Sequence, residues 1–326
     1  MRKNVEALDA LSLLEDPHII YYLMRWSCNA SRTTYLSRTT PRDCCGDALI
    51  DFDQQTRKTF VKSTGIDFTD QQWNQIILPV RKGGFGLRDT YRGADATFLA
   101  SWTSSYEGCV VIRPDHALIN SNSSLNIVTH GRLNSIISPS RQIQEWSPGT
   151  TWRQRDLTDK IDSTMYDDLI SSMSADDRTR CQAYSSKSSV KWHGTNPSRT
   201  FDTVLSNQAF VSMTELQLGV DVQQEPSMCK FCGMIGDCKG RHALSCMAGG
   251  DHVILHNDVR DEIFYWCERA RLHPYLEKEG LLHRVGGPDS RRRPADVLIC
   301  RRSTFLKDLL GGEPLINAVG SRWILP

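Results

Sequence analysis

The chain has 326 residues and a net charge of +1, with 39% hydrophobic and 24% charged residues. This length allows two domains, and the near-neutral charge means that nothing about the whole chain requires a nucleic-acid partner. No apolar run approaches the roughly 18–20 residues of a membrane helix, and the N-terminus lacks a signal-peptide apolar core. We therefore expect an intracellular protein, nuclear or cytoplasmic, in which eleven cysteines favour metal binding over disulfides.

The first part of the sequence predicts helices. Apolar residues recur at helical spacing over 4–27, where Asp16 and Pro17 indicate the start of a second helix. A glycine-rich segment at 83–87 predicts a tight strand or turn. Further helices are expected over residues 46–64 and from about 91 to 102. Residues 1–103 are thus predicted to form one helical region.

Three further segments follow in the sequence. Residues 104–200 are polar and are predicted to form a loop-rich linker with a helix over 160–183, ending in a linker at 185–198. Residues 201–256 combine a predicted helix with a cysteine- and histidine-rich stretch. In residues 257–326, a helix from about 256 to 271 precedes short apolar runs compatible with strands, at 281–282 and 295–300. The predicted fold class is mixed and mainly α.

The most informative motif has the pattern C-x2-C-x9-H-x3-C and consists of Cys229, Cys232, His242 and Cys246. A tight turn can hold the first two thiolates, and residues four apart share one face of a helical turn. Tetrahedral zinc takes such ligands at such spacings. We predict a small zinc site whose metal supplies much of the local folding energy.

The ligand choice has alternatives. Cys238, His252 and His256 lie nearby, and the two histidines are themselves four residues apart. For the His252/His256 pair, a solvated or capping role at the start of the next helix is favoured over metal binding. The alternative to a zinc site is that these cysteines are scattered free thiols in a cysteine-rich chain.

Positive charge is concentrated near the C-terminus. Between residues 284 and 302 there are six arginines and two acidic residues. Such a run is a candidate phosphate-binding patch, and a solvated loop is the alternative. Phe231 and Trp266 could stack on bases, although core packing is the commoner role of aromatic residues. The candidate nucleic-acid-binding residues are Arg291, Arg292, Arg293, Arg301 and Arg302.

Three segments together resemble the region downstream of the reverse transcriptase core in non-LTR (LINE-type) retrotransposon proteins that carry a zinc segment and a restriction-like endonuclease. Residues 78–88 read LPVRKGGFGLR and residues 94–101 read ADATFLAS, similar to a stretch common after that core. The zinc segment continues into GRHALSC at 240–246 and HNDVRD at 256–261. RPADV at 293–297 resembles the strand that presents the first nuclease aspartate.

The resemblance implies a thumb-like helical region, a zinc segment and a partial α/β nuclease region. It also implies DNA or RNA as partner, together with the rest of a retrotransposon polyprotein. Two departures matter. The sequence contains no Tyr/Phe-x-Asp-Asp element, so the polymerase metal site is absent. After Asp296 it offers Lys307, Asp308 and Glu313 without the apolar strand context that would place a second carboxylate at the site, and the C-terminus reads as truncated or frameshifted.

The nuclease site would depend on Asp296 as the principal Mg²⁺ ligand. Glu262 or Glu279 is a candidate supporting carboxylate, and Asp308 or Glu313 is the candidate partner. The run after Asp296 has helical rather than strand spacing, so this site looks incomplete. We expect a zinc-containing nucleic-acid-binding fragment. The alternatives are a Mg²⁺-dependent endonuclease that nicks DNA and an inactive structural relic.

Overall fold

The computed structural model describes residues 2–115, 124–147, 149–186, 191–277, 296–300 and 316–319. Over these residues the protein is mainly helical, and the chain divides into two compact units, Met1–Gln224 and Glu225–Pro326. None of the described helices combines the length and the apolar character that crossing a bilayer requires.

The first unit is helical. Its described α-helices are α1 (Arg2–Leu11), α2 (Pro17–Trp26), α3 (Ser31–Thr39), α4 (Arg42–Thr64), α5 (Asp70–Ile77), α6 (Thr90–Ile112), α7 (Ser124–Ser135), α8 (Gln154–Ser172), α9 (Ala175–Tyr184) and α10 (Asn207–Leu218). The unit boundary falls inside the predicted segment 201–256, because α10 packs on α2 and α9.

Local sequence signals account for several helix ends. The Asp16 carboxylate accepts the amide N–H of Ile19 at 3.0 Å, with Pro17 in the first turn of α2. Helix α4 ends at Gly65, whose φ of 70° suits glycine. The helix predicted over 160–183 is divided into α8 and α9, because the Ser174 hydroxyl caps a new helix by accepting the amide N–H of Asp177.

An aromatic core joins α2, α4 and α10. Tyr21, Phe60, Phe85 and Phe210 are each at most 1% exposed, and their ring centroids lie 5.6 to 6.1 Å from that of Tyr21. Burying a phenylalanine side chain contributes about 1.5–3 kcal/mol. This cluster therefore supplies much of the stability of the first unit.

The glycine-rich segment is a turn rather than a strand. Gly83 and Gly86 adopt φ values of 77° and 76°. A Cβ atom on Gly84 would come within 2.1 Å of the carbonyl oxygen of Leu78. The glycines therefore let the backbone fold tightly against α5, and this places Phe85 in the aromatic core.

The segment predicted as a linker at 185–198 contributes to the core. Trp192 packs on the aromatic cluster, and His193 is 1% exposed. The His193 ring lies 2.8 Å from the Tyr21 hydroxyl at Nδ1 and 3.0 Å from the Gln217 side-chain oxygen at Nε2. At these two residues the chain belongs to the core, and the polar neighbours of the half-buried Trp192 and the buried His193 do not reveal this in the sequence.

The range 104–200 is also more helical than predicted. Helix α6 continues to Ile112, and α7 and α8 pack on it. Leu133, Ile137 and Leu157 are at most 3% exposed in a second core cluster. These apolar residues are isolated in the sequence and form a core only because the helices that carry them pack together.

A buried ion-pair cluster ties α6 to its neighbours. The Asp95 side chain is fully buried, and its carboxylate lies 3.0 Å from the Arg42 guanidinium on α4 and 3.1 Å from that of Arg132 on α7. Burial raises the pKa of Asp95, and the two arginines oppose that shift. A carboxylate buried between two guanidinium groups fixes the positions of three helices.

The second unit contains a hairpin of β1 (Ser227–Met228) and β2 (Ile235–Gly236), then α11 (Arg241–Ser245) and α12 (Asp251–Arg269). An antiparallel sheet has the strand order β3 (Pro274–Leu276), β4 (Val297–Cys300), β5 (Ile316–Val319). The strand predicted at 295–300 is confirmed as β4. The run at 281–282 lies outside the described residues, and the restriction-like character of this unit stays a prediction.

Candidate metal centre

The four predicted zinc ligands are brought together in the second unit. Cys229 follows β1, Cys232 lies in the turn between β1 and β2, and α11 carries His242 with Cys246 directly after it. One ligand atom from each residue lies within 4.8 Å of every other. The sequence pattern therefore folds into a single cluster that could hold a metal ion.

The distances within the cluster suit zinc. The Sγ atoms of Cys229 and Cys246 are 3.8 Å apart, and Cys232 Sγ lies 3.2 Å from His242 Nε2. A tetrahedral ion with Zn–S bonds of about 2.3 Å separates two sulfur ligands by about 3.8 Å. Three cysteines and one histidine with this spacing are consistent with a closed structural zinc site.

The hairpin positions the first cysteine pair. The Cys229 amide N–H donates to the Met234 carbonyl at 2.8 Å, and the Gly233 amide N–H donates back to the Cys229 carbonyl at 3.0 Å. Gly233 has a φ of 70°. A left-handed residue at this point reverses the chain so that both thiols face the same side.

Asp237 is a supporting residue that the sequence interpretation missed. Its carboxylate accepts the amide N–H groups of Arg241 at 3.2 Å and His242 at 2.9 Å, at the start of α11. The signal was available, since an aspartate shortly before a helix often caps it. By holding the first turn of α11, Asp237 fixes the backbone of the histidine ligand.

The cluster favours the thiolate form at Cys229 but not at Cys232. The Met234 backbone lowers the pKa of the Cys232 thiol, and this is outweighed by desolvation and by hydrogen bonds with Cys229 and Cys246, so that the pKa is raised overall. Hydrogen bonds from the backbone N–H groups of Cys232 and Phe231, and from the side chain of His242, lower the pKa of the Cys229 thiol to about 6. Thiolate is the form that coordinates zinc. At neutral pH Cys229 is therefore largely in its ligand form.

Two of the three alternative ligands, Cys238 and His256, lie outside the cluster. Cys238 is not among the four grouped side chains. On α12, the His256 ring lies 3.5 Å from the Asp296 carboxylate. The side chain of His252 lies outside the described part of the chain. The grouping of ligand atoms thus agrees with the predicted choice of ligands.

Asp296 directly precedes β4, and its side chain is 33% exposed. Its carbonyl oxygen accepts the Glu277 amide N–H at 2.9 Å, while the Glu277 carboxylate pairs with Arg260. Among the described residues, Asp296 does not belong to any cluster of side chains that could hold a metal ion. The candidate partners Asp308 and Glu313 and the support Glu279 lie outside the described residues, and the Glu262 carboxylate instead accepts the indole N–H of Trp266.

The candidate stacking residues are accessible in the second unit. Phe231 is 63% exposed and Trp266 is 44% exposed, so neither occupies a core. The candidate phosphate-binding arginines 291–293, 301 and 302 lie outside the described residues. The sequence favours core packing for Trp266, and its exposure contradicts that prediction.

Comparison with known proteins gives no assignment. No protein-family model matches the chain, and no curated protein is significantly similar to it.

Proposed function

We propose that this chain is a zinc-containing nucleic-acid-binding protein derived from the region downstream of the reverse transcriptase core of a non-LTR retrotransposon. The observation that carries the proposal is the cluster of Cys229, Cys232, His242 and Cys246 within 4.8 Å. Zinc would crosslink the hairpin to α11. Among the described residues of the unit, the buried hydrophobic side chains are those of Val297 and Leu298, so a metal would add to its stability.

Two features of the second unit support nucleic acid as the partner. Phe231 is an exposed aromatic residue beside the metal ligands. Its ring lies 3.1 Å from the position that a Cβ atom on Gly249 would take, so the glycine leaves room for the ring beside the backbone. Aromatic faces of this kind stack on bases, and the arginine run at 291–302 would contact phosphates.

Metal analysis of the purified protein tests the zinc site. We expect one zinc ion per chain, lost in Cys229→Ser and in His242→Ala because each substitution removes a ligand. Cys238→Ser is the matched control, since Cys238 lies in the same loop but outside the cluster. A folded protein that contains no metal would overturn the zinc proposal, and zinc loss in Cys238→Ser alone would identify a different ligand set.

Nucleic-acid binding is tested by salt titration. Affinity for labelled DNA and RNA should fall steeply between about 50 and 200 mM salt, because bound arginines displace counterions from phosphates. Replacing Arg291, Arg292 and Arg293 by alanine should flatten that dependence. Binding that responds to neither salt nor these substitutions would exclude the arginine run as the contact surface.

Endonuclease activity is the second candidate, favoured by the position of Asp296 at the start of β4. We expect cleavage to be absent or very weak, because hydrolysis assisted by Mg²⁺ needs a second carboxylate on the same ion. A plasmid-nicking assay with Mg²⁺ or Mn²⁺ checks this. Robust cleavage by the parent protein that disappears in Asp296→Ala would show that the active site is complete.

A further inference from the structure

A second basic site lies in the first unit, far along the chain from the zinc ligands. A cleft of about 610 Å³ opens between α3, α6 and α8. Five arginines and two aspartates line it: Arg38, Arg81, Arg88, Arg92, Arg155, Asp89 and Asp162. Its volume is within the roughly 300–1,000 Å³ range of organic-ligand sites. We call it the arginine cleft.

Two of the five arginines are neutralised within the protein. Arg88 Nη1 donates to both carboxylate oxygens of Asp162 at 2.7 Å, and Arg81 pairs with Asp159 at the rim. Because the Asp162 side chain is only 7% exposed, its pair with Arg88 is structural. The pair holds the segment just before α6 against α8. These two arginines are therefore occupied.

The other three arginines are available to a ligand. Arg38 donates to the neutral side-chain oxygen of Gln154 at 3.1 Å. The guanidinium groups of Arg92 and Arg155 form no ion pair with another described residue. Asp89 is the acid that remains, and its carboxylate accepts the amide N–H of Arg92 as the cap of α6. The cleft thus presents three guanidinium groups against one carboxylate.

The interior of the cleft suits a nucleotide better than an isolated anion. Ile77 and Ile161, which are at most 5% exposed, line it together with Met165. Ser37 also lines it, is 3% exposed, and its hydroxyl forms no hydrogen bond with another described residue. A buried hydroxyl without a partner is costly, and a ligand oxygen would satisfy it.

We propose that the arginine cleft binds a nucleic-acid strand through its phosphates, which Arg38, Arg92 and Arg155 contact while a sugar or base lies on the apolar residues. Guanidinium groups bind phosphate oxygens in bidentate fashion, and an apolar floor accepts the neutral part of a nucleotide. The site lies wholly within the first unit, so it does not rest on the zinc site or on the arginine run at 291–302.

The test measures binding of a labelled single-stranded oligonucleotide to the full zinc-loaded chain by fluorescence anisotropy. In the double variant Arg92→Gln/Arg155→Gln, affinity should fall at least about tenfold, because two charge-assisted contacts to phosphate are lost. The salt dependence should also weaken by about 1.4 in the log–log slope for two lost single-strand contacts.

The matched control is Arg113→Gln/Arg199→Gln. Both residues are exposed arginines of the first unit outside the cleft, so this variant loses the same charge. Its affinity and salt slope should stay close to those of the parent protein. Equal losses in the two double variants would show that only net charge matters, and this result would overturn the proposal.

Arginine modification by phenylglyoxal, read by peptide mass spectrometry, locates the ligand directly. The oligonucleotide and adenosine monophosphate should protect Arg92 and Arg155 but not Arg199. Protection by inorganic phosphate alone would identify a simple anion site and overturn the nucleic-acid assignment. The absence of protection by all three probes would overturn the phosphate site itself.

Discussion

Replacing His193 by glutamine should remove much of the acid sensitivity of the first unit. The ring is buried among the core aromatics, and burial lowers the pKa of His193 to about 3, with the nearby Arg25 acting in the same direction. The hydrogen bond with Gln217 opposes that shift but does not cancel it. In the unfolded chain a histidine has a pKa of about 6.5.

The sign of the effect follows from proton binding. Between pH 6.5 and 3 the unfolded chain carries a proton on His193 that the folded protein does not, so acid favours unfolding. This contribution to stability is complete above about pH 6.5 and is lost as the pH falls. From pH 7.5 to pH 5 the loss is about 2 kcal/mol, which is a large part of a typical folding free energy.

The assay is urea unfolding followed by tryptophan fluorescence, since Trp192 stacks on His193 with ring centroids 3.8 Å apart. The free energy of unfolding of the parent protein should fall by about 2 kcal/mol more than that of His193→Gln between these pH values. Glutamine keeps a polar group beside Tyr21 and Gln217 but does not titrate. Zinc release and the other histidines affect both proteins alike, so parallel pH dependences would refute the reasoning.

Three further predictions concern the fold and the metal. Gly84→Ala should destabilise the protein by several kcal/mol in thermal unfolding, since its Cβ atom would lie 2.1 Å from a backbone carbonyl oxygen. Gly108→Ala is the control on α6: its Cβ atom would lie in open space, so this substitution should stabilise the protein by up to about 1 kcal/mol. Asp95→Ala should cost about 3–5 kcal/mol in urea unfolding, because it removes the carboxylate that pairs with Arg42 and leaves Arg132 with Asp43 alone. Asp70→Ala, whose side chain is 90% exposed, should cost under about 1 kcal/mol. Removal of zinc by a chelator should increase proteolytic cleavage after β1 in the parent protein but should not change cleavage of Cys229→Ser. If the parent protein is equally protected from the protease before and after chelation, a structural metal is contradicted.

The cluster of possible metal ligands could be predicted from the sequence because it is specified by residues close together in the chain. Ligand spacing and a glycine in the turn restrict a short chain to few arrangements, and the folded cluster is the predicted Cys229, Cys232, His242 and Cys246. Helix starts were equally readable where the capping group is adjacent, as at Asp16 and Pro17. In each case the interacting residues lie within a few positions of one another.

What the sequence did not reveal depends on residues that are distant in the chain. Nothing around His193 indicates that it will lie against Tyr21, which is 172 positions away. Arg92 and Arg155 read as ordinary charges on two helix surfaces, and only the packing of α8 on α6 places them in one cleft.

Local chemistry therefore determined the Cys/His cluster and most of the described helices by itself. The tertiary structure decided which polar residues are buried and which arginines converge. Burial and convergence are set by how helix faces pack, and side chains from the whole chain contribute to that packing.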